Sequence, residues 1–145
     1  MKDLKYLFAL TIPLSAFIGL LLNGGWLFFT PVYAFVFIPI VEHFLSASTE
    51  NFSKETKEKR AVNRFFDWML YANIPIVFGL IIWSFYVVST AELSSFELVG
   101  LVVSIGMVLT TNGINVAHEL GHRQESRERF LSKALLLPCL YMHFY

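Results

Sequence analysis

Four stretches of the chain are apolar at nearly every position: residues 6–22, 26–45, 68–88 and 98–117. Their apolar residues run on continuously and do not recur on one face, so a helix built from them has no polar side to turn toward water. A hydrocarbon core about 30 Å thick is crossed by about 20 residues rising about 1.5 Å each. The pattern therefore predicts four transmembrane helices. Only Asn23-Gly24-Gly25 separates the first two, enough for a tight turn, so these two form a hairpin. A fifth apolar stretch, residues 131–145, stops with no cap, polar tail or charge. The expected architecture is an all-α integral-membrane bundle of four complete transmembrane helices plus a truncated fifth apolar segment. Residues 1–145 would form the N-terminal part of a single membrane-embedded domain that continues beyond Tyr145.

The start, Met1-Lys2-Asp3-Leu4-Lys5 followed by an apolar run, has the outline of a secretory signal. The run continues to Leu22 and turns directly into another, so it reads as an uncleaved first span. All five prolines (Pro13, Pro31, Pro39, Pro75 and Pro138) lie in apolar segments. Membrane helices tolerate proline as a kink where soluble helices break.

Composition agrees with the pattern. The chain is 56% hydrophobic and only 15% charged, against about 25% charged in a soluble domain. Net charge is zero and no basic cluster is interleaved with aromatics, so nucleic-acid binding has no support. The single cysteine, Cys139, cannot close an internal disulfide and reads as a small apolar residue. The eleven basic residues fall on one side of the expected topology. Lys2 and Lys5 precede span one. Lys54, Lys57, Lys59, Arg60 and Arg64 lie in the loop 46–67, expected to be partly helical at the surface. Arg123, Arg127, Arg129 and Lys133 follow span four. The opposite side holds Glu92 and Glu97 and no base. The positive-inside rule puts the N-terminus and the end of span four in the cytoplasm.

That end carries the candidate chemistry. His118 and His122, four residues apart, project from one helix face and can share a metal ion. Imidazole suits zinc and iron alike, so the spacing leaves the metal open. Thr111, Asn115, His118 and His122 form a polar stripe, and Asn115 is placed to orient an imidazole by accepting its N–H. Glu119 points about 100° away from His118. It fits an outer hydrogen-bond acceptor, a general base or an interfacial charge. Two imidazoles are too few for a metal site, which usually takes at least three protein ligands. Glu42 and His43, at the same expected depth, read as a polar flank of span two. His143 reaches the region only if the last segment folds back. Asp67, Arg64 and Trp68 read as interfacial anchors, and Gly100 and Gly106 as helix-packing residues.

At these residues the chain resembles a known family. Asn115-Val116-Ala117-His118-Glu119-Leu120-Gly121-His122-Arg123 is similar to the first histidine box of the integral-membrane alkane hydroxylases. Those enzymes belong to the wider superfamily of membrane fatty-acid desaturases and hydroxylases. Leu140-Tyr141-Met142-His143-Phe144-Tyr145 resembles the approach to that family's second box. Asn63-Arg64-Phe65-Phe66-Asp67-Trp68-Met69-Leu70-Tyr71 resembles the entry to its third helix. The resemblance implies a terminal alkane 1-monooxygenase of a bacterial inner membrane. It implies two Fe ions in a non-haem di-iron centre, with His118 and His122 as two ligands and the others beyond Tyr145. It further implies O₂ as oxidant, electrons from a rubredoxin-type donor on the cytoplasmic side, and an alkane drawn from the bilayer. The part present here would be inactive alone. Aromatic residues of the first two spans, Trp26 and Phe35 foremost with Phe17, Phe28, Phe29 and Phe37, would shape the substrate channel.

Three rivals have their own signatures. His118-Glu119-Leu120-Gly121-His122 also satisfies the zinc-protease pattern, in which Glu119 would be the general base. A related desaturase or hydroxylase acting on acyl chains or alkylaromatics shares the first box. A structural or transport bundle with a chance histidine pair predicts no further histidine clusters downstream.

Overall fold

The computed structural model describes residues 7–44 and 64–145. All regular structure among the described residues is helical. Helix α1 (Leu7–Leu22) turns into α2 (Gly24–Phe44), followed by α3 (Arg64–Thr90), α4 (Ser95–Gly121) and the short α5 (Ser126–Leu136). A 3₁₀ turn, Met142–Phe144, comes last. Helices α2, α3 and α4 are long and apolar enough to cross a membrane. At about 1.5 Å per residue α1 reaches about 24 Å, a shorter apolar helix than the full span expected of it. The basic residues Lys2, Lys5, Lys54, Lys57, Lys59 and Arg60, and most of the loop in which helix was expected, lie outside the described residues.

The α1–α2 hairpin turns on two successive residues of positive φ, Asn23 (φ 55°) and Gly24 (φ 59°). Glycine adopts positive φ at no steric cost. Gly19 lets the two strands of the hairpin meet, since a Cβ there would lie 2.7 Å from the Trp26 carbonyl oxygen. Gly100 admits the Phe28 ring onto α4 in the same way; a Cβ would sit 2.6 Å from it. Between the helices the core consists of small and aliphatic side chains, including Ala16, Leu20, Leu27, Val77, Leu101 and Val108.

A bilayer offers no water to buried polar groups, so the protein must satisfy them. Ser104 Oγ donates to the Leu27 carbonyl at 2.6 Å. Ser15 Oγ donates to the Ile12 carbonyl at 2.6 Å and lies 3.2 Å from Thr30 Oγ1. Three helices meet at Asn112. Its Nδ2 donates to Asn73 Oδ1 at 2.7 Å and to the Ala9 carbonyl at 3.1 Å. Asn73 Nδ2 in turn donates to the Met69 carbonyl at 2.7 Å. Both asparagines are buried.

Glu97 has a structural role that a loop charge would not have. Ser94 and Glu97 form a reciprocal capping box that starts α4, with the carboxylate 2.7 Å from the Ser94 backbone N–H. Such a box satisfies amide donors that the first helical turn leaves open.

Helix α4 is not uniform. Residues Leu109–Ile114 widen into a π segment, closed by the Asn115 N–H bonding the Thr110 carbonyl. Here the Thr110 and Thr111 hydroxyls donate to the Gly106 and Met107 carbonyls at 2.9 and 2.8 Å, sharing acceptors that the α-helical ladder uses. The helix then resumes at Asn115 and runs to Gly121, past the end of the apolar span at Ala117.

The apolar stretch 131–145 does not continue as a fifth helix of the spanning kind. Its first residues belong to amphipathic α5, which buries Glu128, Ser132, Leu135 and Leu136 against the bundle and exposes Arg127, Arg129 and Phe130. Pro138 withholds the N–H that another turn would need. The chain reverses through Leu140 (φ 52°) and folds back toward the end of α4.

Candidate metal centre

His118 lies in the last turn of α4 and His122 caps its C-terminus. His118 and His122 are exposed, and their Nε2 atoms converge to 3.1 Å. The rings stand nearly perpendicular, with centroids 4.5 Å apart. Two nitrogens that close can bridge through one proton or point their lone pairs at one cation. A cavity of about 520 Å³ opens on them, lined also by Arg123, Gln124, Arg129, Ser132, Phe144 and Tyr145. The returning tail forms one wall, with the Phe144 ring 5.4 Å from that of His118.

Helix α5 secures this end of α4. Ser132 Oγ donates to the Ala117 carbonyl at 2.6 Å. Gly121 leaves room for that contact, as a Cβ there would lie 3.2 Å from Ser132 Oγ. A charged network adds a second tie. Arg123 Nη1 donates to Asp67 Oδ1 on α3 at 2.6 Å and to Glu128 Oε1 on α5 at 2.9 Å. The Tyr71 hydroxyl donates to the same Glu128 oxygen at 2.8 Å. Partial burial works against the Arg123 cation, but Asp67 and Glu128 outweigh it and raise its pKa. The guanidinium therefore stays charged throughout the physiological range.

The other expected residues are placed as follows. Asn115 and Glu119 are exposed and make no side-chain hydrogen bond among the described residues. The buried polar residue at that level of α4 is Asn112, which the stripe Thr111–Asn115–His118–His122 omits. Glu42 and His43 are exposed at the end of α2, where His43 packs edge-on against Phe44. The tail does fold back, yet its His143 packs edge-on against Tyr141, 4.4 Å between centroids, and not with the pair. Among the described residues no group of three or more potential ligands exists, so the pair is at most part of a metal site. Trp26 borders a shallow groove with Phe28 and Phe29, and Phe35 is 73% exposed. A larger apolar groove of about 470 Å³ runs between α1 and α3, past Pro13, Phe17, Pro75, Gly79 and Trp83. Of the channel residues expected, it includes Phe17. Asp67 is a partner of Arg123 as well as an entry residue of α3. Opposite charges at one expected depth were the available signal for that pair; Glu128 and Tyr71 had none.

Fold and site together define an all-helical integral-membrane protein with an imidazole pair at the end of a spanning helix. No protein-family model matches the chain. It is 31% identical to an alkane 1-monooxygenase of Pseudomonas putida over 97% of its own length. It is 29% identical, over the same share, to alkane 1-monooxygenases of Alcanivorax borkumensis and Ectopseudomonas oleovorans. The chain is a homologue of the alkane 1-monooxygenases. It spans 37%, 36% and 37% of the length of these three relatives.

Proposed function

We propose that this chain is the N-terminal part of a membrane monooxygenase that hydroxylates the terminal carbon of linear alkanes. In this reading His118 and His122 are two ligands of a non-haem di-iron centre, and the rest of the longer protein supplies the others. The observation that carries the reading is the approach of the two Nε2 atoms to 3.1 Å at the end of a membrane helix. Imidazole nitrogens are donors that iron accepts, and the exposure of the pair leaves that face open to further ligands.

The overall conversion is RH + O₂ + 2e⁻ + 2H⁺ → ROH + H₂O. An unactivated C–H bond gives an acid or base no purchase, so bound iron would supply the oxidising power. The chain's own residues do the holding. The α5 contacts fix the helix end that bears the pair. The apolar groove between α1 and α3 offers a linear chain a path lined by ring and aliphatic surface. Arg123, Arg127, Arg129 and Lys133 cluster beyond the far end of α4 from Glu92 and Glu97. This asymmetry favours a cytoplasmic histidine end in a bacterial inner membrane, within reach of a soluble rubredoxin-type donor.

The test uses the full-length protein that carries this chain, expressed with a rubredoxin and its reductase in a host without alkane hydroxylase. Primary alcohols from a panel of linear alkanes, with two irons per chain, are the expected result. One zinc per chain, or oxidation of acyl chains with alkanes untouched, would overturn the reading.

A further inference from the structure

His122 is exposed at the C-terminal end of the box helix. It is the C-cap residue, with φ −78° and ψ −10°, and the chain leaves the helix directly after it. Helix ends fray because their last carbonyls lack partners within the helix. His118 sits a full turn deeper, and the carbonyl just before it is held by Ser132. The two members of the pair are therefore secured differently. Beyond His122 the tie to the bundle runs through the next side chain, Arg123. Its Nη1 is clamped between Asp67 of α3 and Glu128 of α5. Glu128 is itself buried and shares its Oε1 with the Tyr71 hydroxyl. One guanidinium thus joins three helices at the residue following a candidate ligand.

We propose that Arg123 is a positioning residue. Its clamp between Asp67 and Glu128, backed by Tyr71, fixes the backbone at His122 and so sets where that imidazole stands relative to His118. The inference rests on the reading of His118 and His122 as metal ligands and adds a role for residues that do not touch the metal. Nη1 carries two N–H donors, one for each carboxylate; a lysine at 123 keeps the charge but not the guanidinium's planar donor geometry. Residues that orient ligands affect metal affinity by about 10- to 100-fold when changed.

The experiment compares the full-length protein with its Arg123→Met, Arg123→Lys, Glu128→Gln and Ser104→Ala variants. Ser104→Ala removes a buried hydrogen bond at the Leu27 carbonyl and controls for general loss of stability. Metal-free protein is titrated with Co²⁺, and its ligand-field absorption is recorded. Hydrogen exchange is followed at the amides of residues 118–124. Arg123→Met is expected to lower Co²⁺ affinity about tenfold, shift the absorption band and speed exchange at residues 120–124. Arg123→Lys should restore part of each change, and Glu128→Gln should fall between them. Ser104→Ala should lower the melting temperature and leave the band in place. An unchanged band and affinity in Arg123→Met, or a band shift in Ser104→Ala of the same size, would overturn the proposal. If Arg123→Met does not fold, the lysine and glutamine variants decide it on the same readouts. Full Co²⁺ affinity with both histidines replaced by alanine would sink the ligand reading itself, a result separable from exchange at residues 120–124.

Discussion

Helix α4 carries two polar regions about two turns apart, and they obey opposite rules. At Asn112 every part of the arrangement is inward. The amide is buried, reaches Asn73 and the Ala9 carbonyl, and ties three helices together. At His118 and His122 the polar atoms face outward, meet chiefly each other, and open on a cavity. A membrane protein that buries polar groups must pair them. The satisfied cluster is therefore best understood as structure, and the exposed, convergent one as chemistry. Asn112 itself lies in the π segment Leu109–Ile114, which ends one turn before His118; such irregularities are often found beside functional sites.

The largest effects should separate the two regions most cleanly. Replacing His118 or His122 with alanine in the full-length protein should reduce alkane hydroxylation to background. Melting of the bundle should scarcely change, since both side chains are exposed. Product formation measured by gas chromatography, alongside thermal melting in detergent, checks both halves. A histidine variant that unfolds the bundle but keeps its specific activity would erase the distinction.

The converse holds for the buried side. Gly19→Ala places a Cβ 2.7 Å from the Trp26 carbonyl oxygen, which is backbone and cannot swing aside. The α1–α2 hairpin must open, at a cost of about 1–3 kcal/mol. Asn112→Leu should cost about 1–2 kcal/mol, as buried polar links between membrane helices do at their upper range. Because Asn73 and Asn112 share one bond, the double leucine variant should cost less than the two single changes added together. Unfolding in mixed detergent micelles measures all of these. Strict additivity would mean that the 2.7 Å contact contributes nothing.

The sequence made the satisfied region legible only in part. Unbroken apolar runs revealed the helices, because few other structures accommodate them. Asn23-Gly24-Gly25 revealed the hairpin, because three residues between two apolar runs leave room only for a tight turn. The box was visible because four-residue spacing puts two imidazoles on one face whatever the surroundings. The other features depended on partners distant in sequence. Asn112 and Asn73 look like interruptions in apolar runs until the helices pack. The apolar run around Thr110 and Thr111 gave no sign that the helix widens there and displaces the register of the stripe. The helical pattern of residues 126–136 was hidden because its apolar face overlaps a run that reads as a span, and because Glu128 finds its partners on other helices. Arg123 looked like a topology signal; its two carboxylates come from positions 67 and 128.

The smallest expected effect tests the seam between the two regions. Cys139 lies in the turn after α5, with its Sγ 3.4 Å from the Leu135 carbonyl and 3.7 Å from that of Leu109 in the π segment. A Cβ on Gly113 would come within 3.3 Å of the same sulfur. Burial pushes the thiol pKa up. The folded state thus favours the protonated form, so this group's contribution to stability is complete below the unfolded thiol's pKa and is lost as pH rises through the folded one. Alkylation by iodoacetamide at pH 8 should accordingly be slower than that of a free thiol, and its pH profile should be displaced upward. Cys139→Ala should cost no more than about 1 kcal/mol, since the bonds lost are weak ones to sulfur. Labelling as fast as in the detergent-unfolded protein would mean that the returning turn does not rest on the π segment. The wall it gives the histidine cavity would then be open.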